Sequence, residues 1–201
     1  MLIAACGKRS ESPLPAPASG PARARTTALS QPAQAQIASP IALSTPAGER
    51  VVEVSMQGSD LTVAYGGEVF HGRLKGEKRK YESVEVKFGD DGGFKVRTLD
   101  GKLLWKVKAT PEKVKVSDNE ENKNPYELKL KEGKVKVYAP GERFLGQVKS
   151  RTDHLEVEDA GGAEKYRGTS TRAEAFYGVA LLEAIPTRER AVIFAELAVR
   201  R

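Results

Sequence analysis

The sequence predicts a mainly β domain: a closed sheet of about twelve antiparallel strands with an apolar C-terminal helix packed inside it. Three observations lead there. From Glu49 onward, apolar and charged residues alternate with period two between turn-forming residues. The alternating hairpins repeat along the chain. Within the final segment, the run 191–199 is apolar on nearly every side.

The alternation is clearest in Lys134-Val135-Lys136-Val137-Tyr138, Lys113-Val114-Lys115-Val116 and His154-Leu155-Glu156-Val157-Glu158. Successive strand side chains point to opposite faces, so one face is apolar and the other charged, as a half-buried antiparallel sheet requires. Turn residues separate the runs, among them Gly66-Gly67, Asp100-Gly101, Pro140-Gly141 and Gly161-Gly162. The strands between them are expected at 50–56, 61–65, 68–75, 80–88, 94–98, 102–108, 112–117, 126–131, 134–138, 143–149, 154–158 and 164–168.

Phe94, Val96, Leu103, Val107, Val114 and Val116 recur 41 positions later as Val135, Val137, Phe144, Val148, Leu155 and Val157. An earlier copy, with Leu61, Val63, Phe70 and Leu74, lies 33 positions before Phe94, Val96, Leu103 and Val107. Unequal steps do not suit a solenoid. They suit a closed sheet built from similar hairpins.

Thr171-Arg172-Ala173-Glu174 reads as a capping box and predicts a helix over 171–184. Pro186 ends it, and a second helix is expected over 187–200, with Thr187 as its cap. Within that helix Glu196 is the one polar residue of the run 191–199. It is too short to span a bilayer, so the economical place for it is inside the sheet.

These features, with the hairpin Phe94-Lys95-Val96-Arg97-Thr98-Leu99-Asp100-Gly101-Lys102-Leu103-Leu104-Trp105-Lys106-Val107, resemble the tubby C-terminal-like fold of tubby domains, LURP-one-related proteins and phospholipid scramblases. The resemblance covers residues 49–201. It implies a twelve-stranded barrel closed around a hydrophobic helix, for which 187–201 is the match. It also implies an affinity for phospholipids, without assigning that role to particular residues.

The N-terminus reads differently. Ile3-Ala4-Ala5-Cys6 resembles a bacterial lipobox, in which the cysteine becomes the lipid-bearing first residue, and Cys6 is the only cysteine in the chain. Five residues precede it, whereas a signal peptide has a basic region and an apolar stretch there. Residues 1–10 are read as this address. Residues 11–48 hold seven of the eleven prolines and no aromatic residue, a composition that cannot bury enough apolar surface to fold and that reads as an extended tether. The resemblance implies a lipid anchor at Cys6 and a place in the bacterial envelope, at the outer membrane facing the periplasm or at the cell surface.

One cysteine and two histidines exclude a disulfide within the chain and a zinc cage built from it alone. The net charge of +6 is spread over 33 basic and 27 acidic residues, a near-balance that argues against nucleic acid as the partner. No Gly-x-Ser-x-Gly elbow, His-Glu-x-x-His helix or cofactor motif is present, so neither catalysis nor a cofactor is expected. Asp118-x-Glu120-x-Asn122-x-Asn124 has the spacing of a calcium loop, but Lys123 stands where the loop needs its glycine and Lys129 where it needs its bidentate acid. His71 and His154 are expected on outward strand positions.

The basic residues cluster. Residues 102–149 hold more basic than acidic groups, and Arg73, Lys75, Lys78, Arg79 and Lys80 form a second group. These five are the candidate patch for an anionic surface, with solvated outward strand positions as the plainer reading. The function expected is that of a non-enzymatic, membrane-anchored module binding anionic lipid head groups or an envelope protein. A scramblase-like lipid handler is the alternative.

Overall fold

The computed structural model describes residues 40–200. Cys6 and residues 11–39 of the expected tether lie outside the described residues. The described chain forms fourteen strands: β1 (Ile41–Ser44), β2 (Arg50–Gln57), β3 (Asp60–Tyr65), β4 (Glu68–Lys75), β5 (Lys78–Lys80), β6 (Val84–Phe88) and β7 (Phe94–Thr98), then β8 (Leu103–Ala109), β9 (Lys113–Ser117), β10 (Tyr126–Lys131), β11 (Lys134–Ala139), β12 (Arg143–Ser150), β13 (Leu155–Asp159) and β14 (Glu164–Gly168). Every strand pairs antiparallel with its neighbours in sequence, and β1 pairs with β14, so the meander closes into a barrel. Closure leaves no unpaired edge for another chain to extend.

All twelve expected strands are present. The two additions have separate causes. The predicted strand 80–88 begins at Val84, and a separate short strand, 78–80, precedes it across a corner where Tyr81 turns inward and Glu82 is exposed. The other addition corrects the boundary placed at residue 49. Ile41, Ala42 and Leu43 are buried, and they pair with Val54, Glu53 and Val52 on one side while Leu43 meets Gly168 on the other. Four residues between Pro40 and Pro46 are too short to show a period in the sequence, yet they close the ring.

The inward positions are mostly Val, Leu and Phe: Val52 and Val54, Leu61 and Val63, Val86, Phe94 and Val96, Val114 and Val116, Val135 and Val137. The sequence repeat acquires a structural meaning here. The two steps carry β3–β4 onto β7–β8 and then onto β11–β12, four strands each time. The longer second step contains the 118–125 loop between β9 and β10.

Two helical segments fill the barrel. The expected helix 171–184 is a 3-10 helix, Ala175–Leu181, and Glu174 precedes it without a side-chain cap. Gly178 packs so tightly against β10 and β11 that a methyl group there would lie 2.8 Å from Val137 and 3.0 Å from Leu128. The second helix, α1 (Thr187–Ala198), has Pro186 rather than Thr187 at its N-cap. Residues 191–198 of α1 are buried all round, and Phe194 packs edge-on against Tyr65 of β3 and Phe176 of the 3-10 helix. The helix lies inside the barrel, as its all-round apolar surface predicts.

The turns alternate between two ends of the barrel. The chain joins β1 at the end bearing turns 76–77 and 89–93; we call this the Ile41 end. At the opposite end, Arg188 of α1 donates to Ser83 Oγ at 2.8 Å. At the Ile41 end, the guanidinium of Arg200 stacks 3.8 Å from the ring centre of Phe88.

Candidate anion-binding wall

The strand register aligns lysines that the sequence scatters. Lys75 of β4 stands opposite Lys78 of β5, Lys78 opposite Lys87 of β6, Lys87 opposite Lys95 of β7, and Lys95 opposite Lys106 of β8. Five lysines on five adjacent strands thus form one line around the outside of the barrel. Like charges directly opposite one another in a sheet are destabilising. Parallel lines continue it: Lys108 opposite Lys115, and Lys113 opposite Lys129 opposite Lys136. From β4 to β11, more than half the circumference, Glu85 and Glu127 are the acids facing out from mid-strand among all these cations.

Three carboxylates hold this wall together. Glu120, from the loop with calcium-like spacing, folds back over β7 and β8. It pairs with Lys95 at 2.7 Å and Arg97 at 2.8 Å, and also reaches Lys106. The rest of that loop is tied internally, with Ser117 Oγ donating to Asn122 at 2.7 Å and Asn119 accepting from the Lys123 amide at 2.8 Å. Among the described residues no group of acids, histidines and cysteines has the arrangement of a metal site. Glu127 lies among Lys113, Lys115 and Lys129, at 3.3, 3.4 and 2.7 Å. Burial pushes its carboxyl up, but the hydrogen bonds from Lys129 and Lys113 outweigh this and bring it down to about 2. Glu85 accepts from Lys78 at 2.8 Å, which lowers its carboxyl below the usual range. By contrast, Lys75, Lys80, Lys87, Lys108, Lys134 and Lys136 form no ion pair among the described residues.

Of the five residues of the expected patch, four share one outer face and one does not. Arg73 stands opposite Lys80, and Lys75 opposite Lys78, so these four share the outer face of β4 and β5. Arg79 does not join them. As the middle residue of the three-residue strand β5 it points inward, and it is buried. Its Nη1 donates to Glu196 Oε2 of α1 at 2.9 Å, and Tyr81 donates to the other oxygen, Oε1, at 2.8 Å. Burial raises the carboxyl of Glu196, opposed by the charge of Arg79, and burial also pushes the Tyr81 hydroxyl well up. Gly72 on β4 makes the room: a methyl group there would lie 2.6 Å from the Tyr81 ring and 2.7 Å from Arg79 Cδ.

Lys87, Lys95, Arg97, Lys106 and Lys108 complete the wall, and the expected patch did not include them. In the sequence 73–80 and 102–149 are separate clusters; β6 and β7 stand between them in space and carry the missing cations. A hollow of about 570 Å³ follows the line, lined by Lys78, Lys87, Lys95 and Lys106 and closed at the turn by Gly89 and Gly93. A second, of about 460 Å³, lies around Arg73, Lys75 and Lys80. The histidines lie outside this arrangement or at its margin. His71 meets Thr62 at 3.2 Å beside the second hollow, and His154 lies between Asp153 and Glu156.

No protein-family model, curated protein or solved structure matches the chain. Among the described residues no helix is long and apolar enough to cross a membrane.

Proposed function

We propose that the protein is a lipid-anchored, non-enzymatic binding module of the bacterial cell envelope. Cys6 carries the lipid, the proline-rich segment spaces the barrel from the membrane, and the wall β4–β11 engages the anionic groups of lipid heads or of an envelope partner. The observation that carries this reading is the line Lys75–Lys78–Lys87–Lys95–Lys106. A protein that gained nothing from this line would be more stable with alternating signs across its strands.

Two measurements test it. Wild-type protein is expected in the membrane fraction, and Cys6→Ser is expected to release it or leave it unprocessed; equal partition into the soluble fraction rejects the anchor. Binding to vesicles of equal parts phosphatidylcholine and phosphatidylglycerol is expected to weaken as salt rises. Binding that ignores salt rejects the electrostatic account. Capture of an acidic envelope protein with no vesicle binding would redirect the reading to a protein partner.

A further inference from the structure

We infer that the lysine line seats an extended, linear polyanion carrying one charge per unit, with an acidic polysaccharide of the polyuronate kind as its occupant. This rests on the wall being an anion-binding surface and names the chemistry of its ligand.

Three observations point the same way. The first is spacing. Neighbouring strand backbones stand roughly 4.8 Å apart and each carries one lysine of the line, so a chain laid across the strands meets one ammonium group per strand. A polyuronate carries a carboxylate on every sugar, so it can offer one to Lys75 and Lys87 and compete with Glu85 and Glu120 for Lys78, Lys95 and Lys106.

The second is curvature. The five strands cover four of the fourteen inter-strand steps of the closed barrel, more than a quarter of the way round. A flexible chain can follow that bend. A flat bilayer touching the middle of the line stands off its ends. Duplex DNA is too stiff to wrap it, having a persistence length of about 150 base pairs. Single-stranded nucleic acid is generally held by stacking on exposed aromatic rings, and the line has none between its lysines.

The third is a hollow on the outer face. It is lined by Lys78, Lys87, Lys95 and Lys106, so a bound chain is seated between these side chains rather than on a smooth surface. Lys75 and Lys87 remain free of ion pairs along the line, available to a ligand without first breaking an internal contact.

The test uses the full chain with Cys6 unmodified and polygalacturonate fragments of defined length as probes. Affinity is expected to climb from the single sugar to about five sugars, the length of the line, and to rise only slowly beyond it. Lys75→Glu with Lys87→Glu is expected to weaken binding of the longer fragments roughly tenfold or more and to flatten its salt dependence. Lys102→Glu with Lys123→Glu alters net charge equally at exposed positions off the line and is expected to change binding little. Because all four side chains are exposed, folding is checked by melting temperature, and the serine versions of both pairs should rank in the same order. Equal weakening by the two pairs, or affinity independent of fragment length, overturns the inference. Binding to anionic vesicles without binding to the fragments overturns it and leaves the head-group reading standing; binding to neither overturns both.

Discussion

Arg79 and Glu196 meet at 2.9 Å inside the barrel, 117 residues apart in sequence, and are the ion pair that ties the enclosed helix to the strand wall. Both side chains are almost fully enclosed. A buried pair of this kind adds little to net stability, whereas removing one partner strands a charge. Arg79→Ala is therefore expected to destabilise by about 3–5 kcal/mol. The double variant Arg79→Met, Glu196→Leu should recover most of that loss. Denaturant titration of the three proteins checks it, and a double variant as unstable as the single one refutes the account.

Phe194 is the centre of an aromatic cluster with Tyr65, Phe176 and Tyr177. Phe194→Ala should cost about 3–5 kcal/mol, and Phe194→Asp should abolish cooperative unfolding by adding a buried unpaired charge. A Phe194→Asp protein that still melts in a single sharp transition would place the ring at the surface.

Truncation should distinguish two boundaries only nine residues apart. Removal of residues 7–39 is expected to leave the melting temperature nearly unchanged. Removal through residue 48 deletes β1, exposes the edges of β2 and β14, and uncovers Ile41's and Leu43's neighbours in the core. A fall of many degrees is expected, and similar melting of the two truncations would show that β1 is dispensable.

Acid should act through Glu127. Its carboxyl is lowered in the folded state from 4.5 to about 2. The stability it contributes is complete above pH 4.5 and is lost as pH falls toward 2. Glu127→Gln should flatten the fall in melting temperature across that window. Superimposable profiles for variant and wild type would mean that the three surrounding lysines do not hold the carboxylate.

Gly72 tests the internal fit. A methyl group there runs into both Tyr81 and Arg79, so Gly72→Ala should cost about 1–3 kcal/mol. Pairing it with Tyr81→Ser should relieve part of the clash, a non-additivity that a thermodynamic cycle measures.

Most of the barrel was legible because its physics is local. Hairpins such as Lys113–Val116 and Lys134–Tyr138 alternate cleanly, and glycine-rich turns mark their ends. What stayed hidden depends on distant partners. Strand β1 exists because β2 and β14 flank it. The 3-10 helix at 175–181 is set by the space between β10 and β13, against which a capping box has no force. Arg79 had a local signal: in Lys78-Arg79-Lys80 the middle residue must face opposite to its neighbours. Glu196, the one polar residue of the run 191–199, was the matching half. The lysine line had no such signal, because only the register of four successive strand pairs brings its members together.

The closure of β1 against β14 also sets an order of events. β1 leaves the ribosome first of the strands and finds its second partner only after β14 has emerged, while the 3-10 helix and α1, which belong inside, are made later still. Until they arrive, the growing sheet is a curled strip with two free margins and an unfilled apolar lining. Ring closure therefore waits on contacts between the two ends of the domain, Leu43 with Gly168, and contacts of such long sequence separation fold slowly. During that interval the open strip is the form most exposed to pairing with other chains, and the one a chaperone would have to guard.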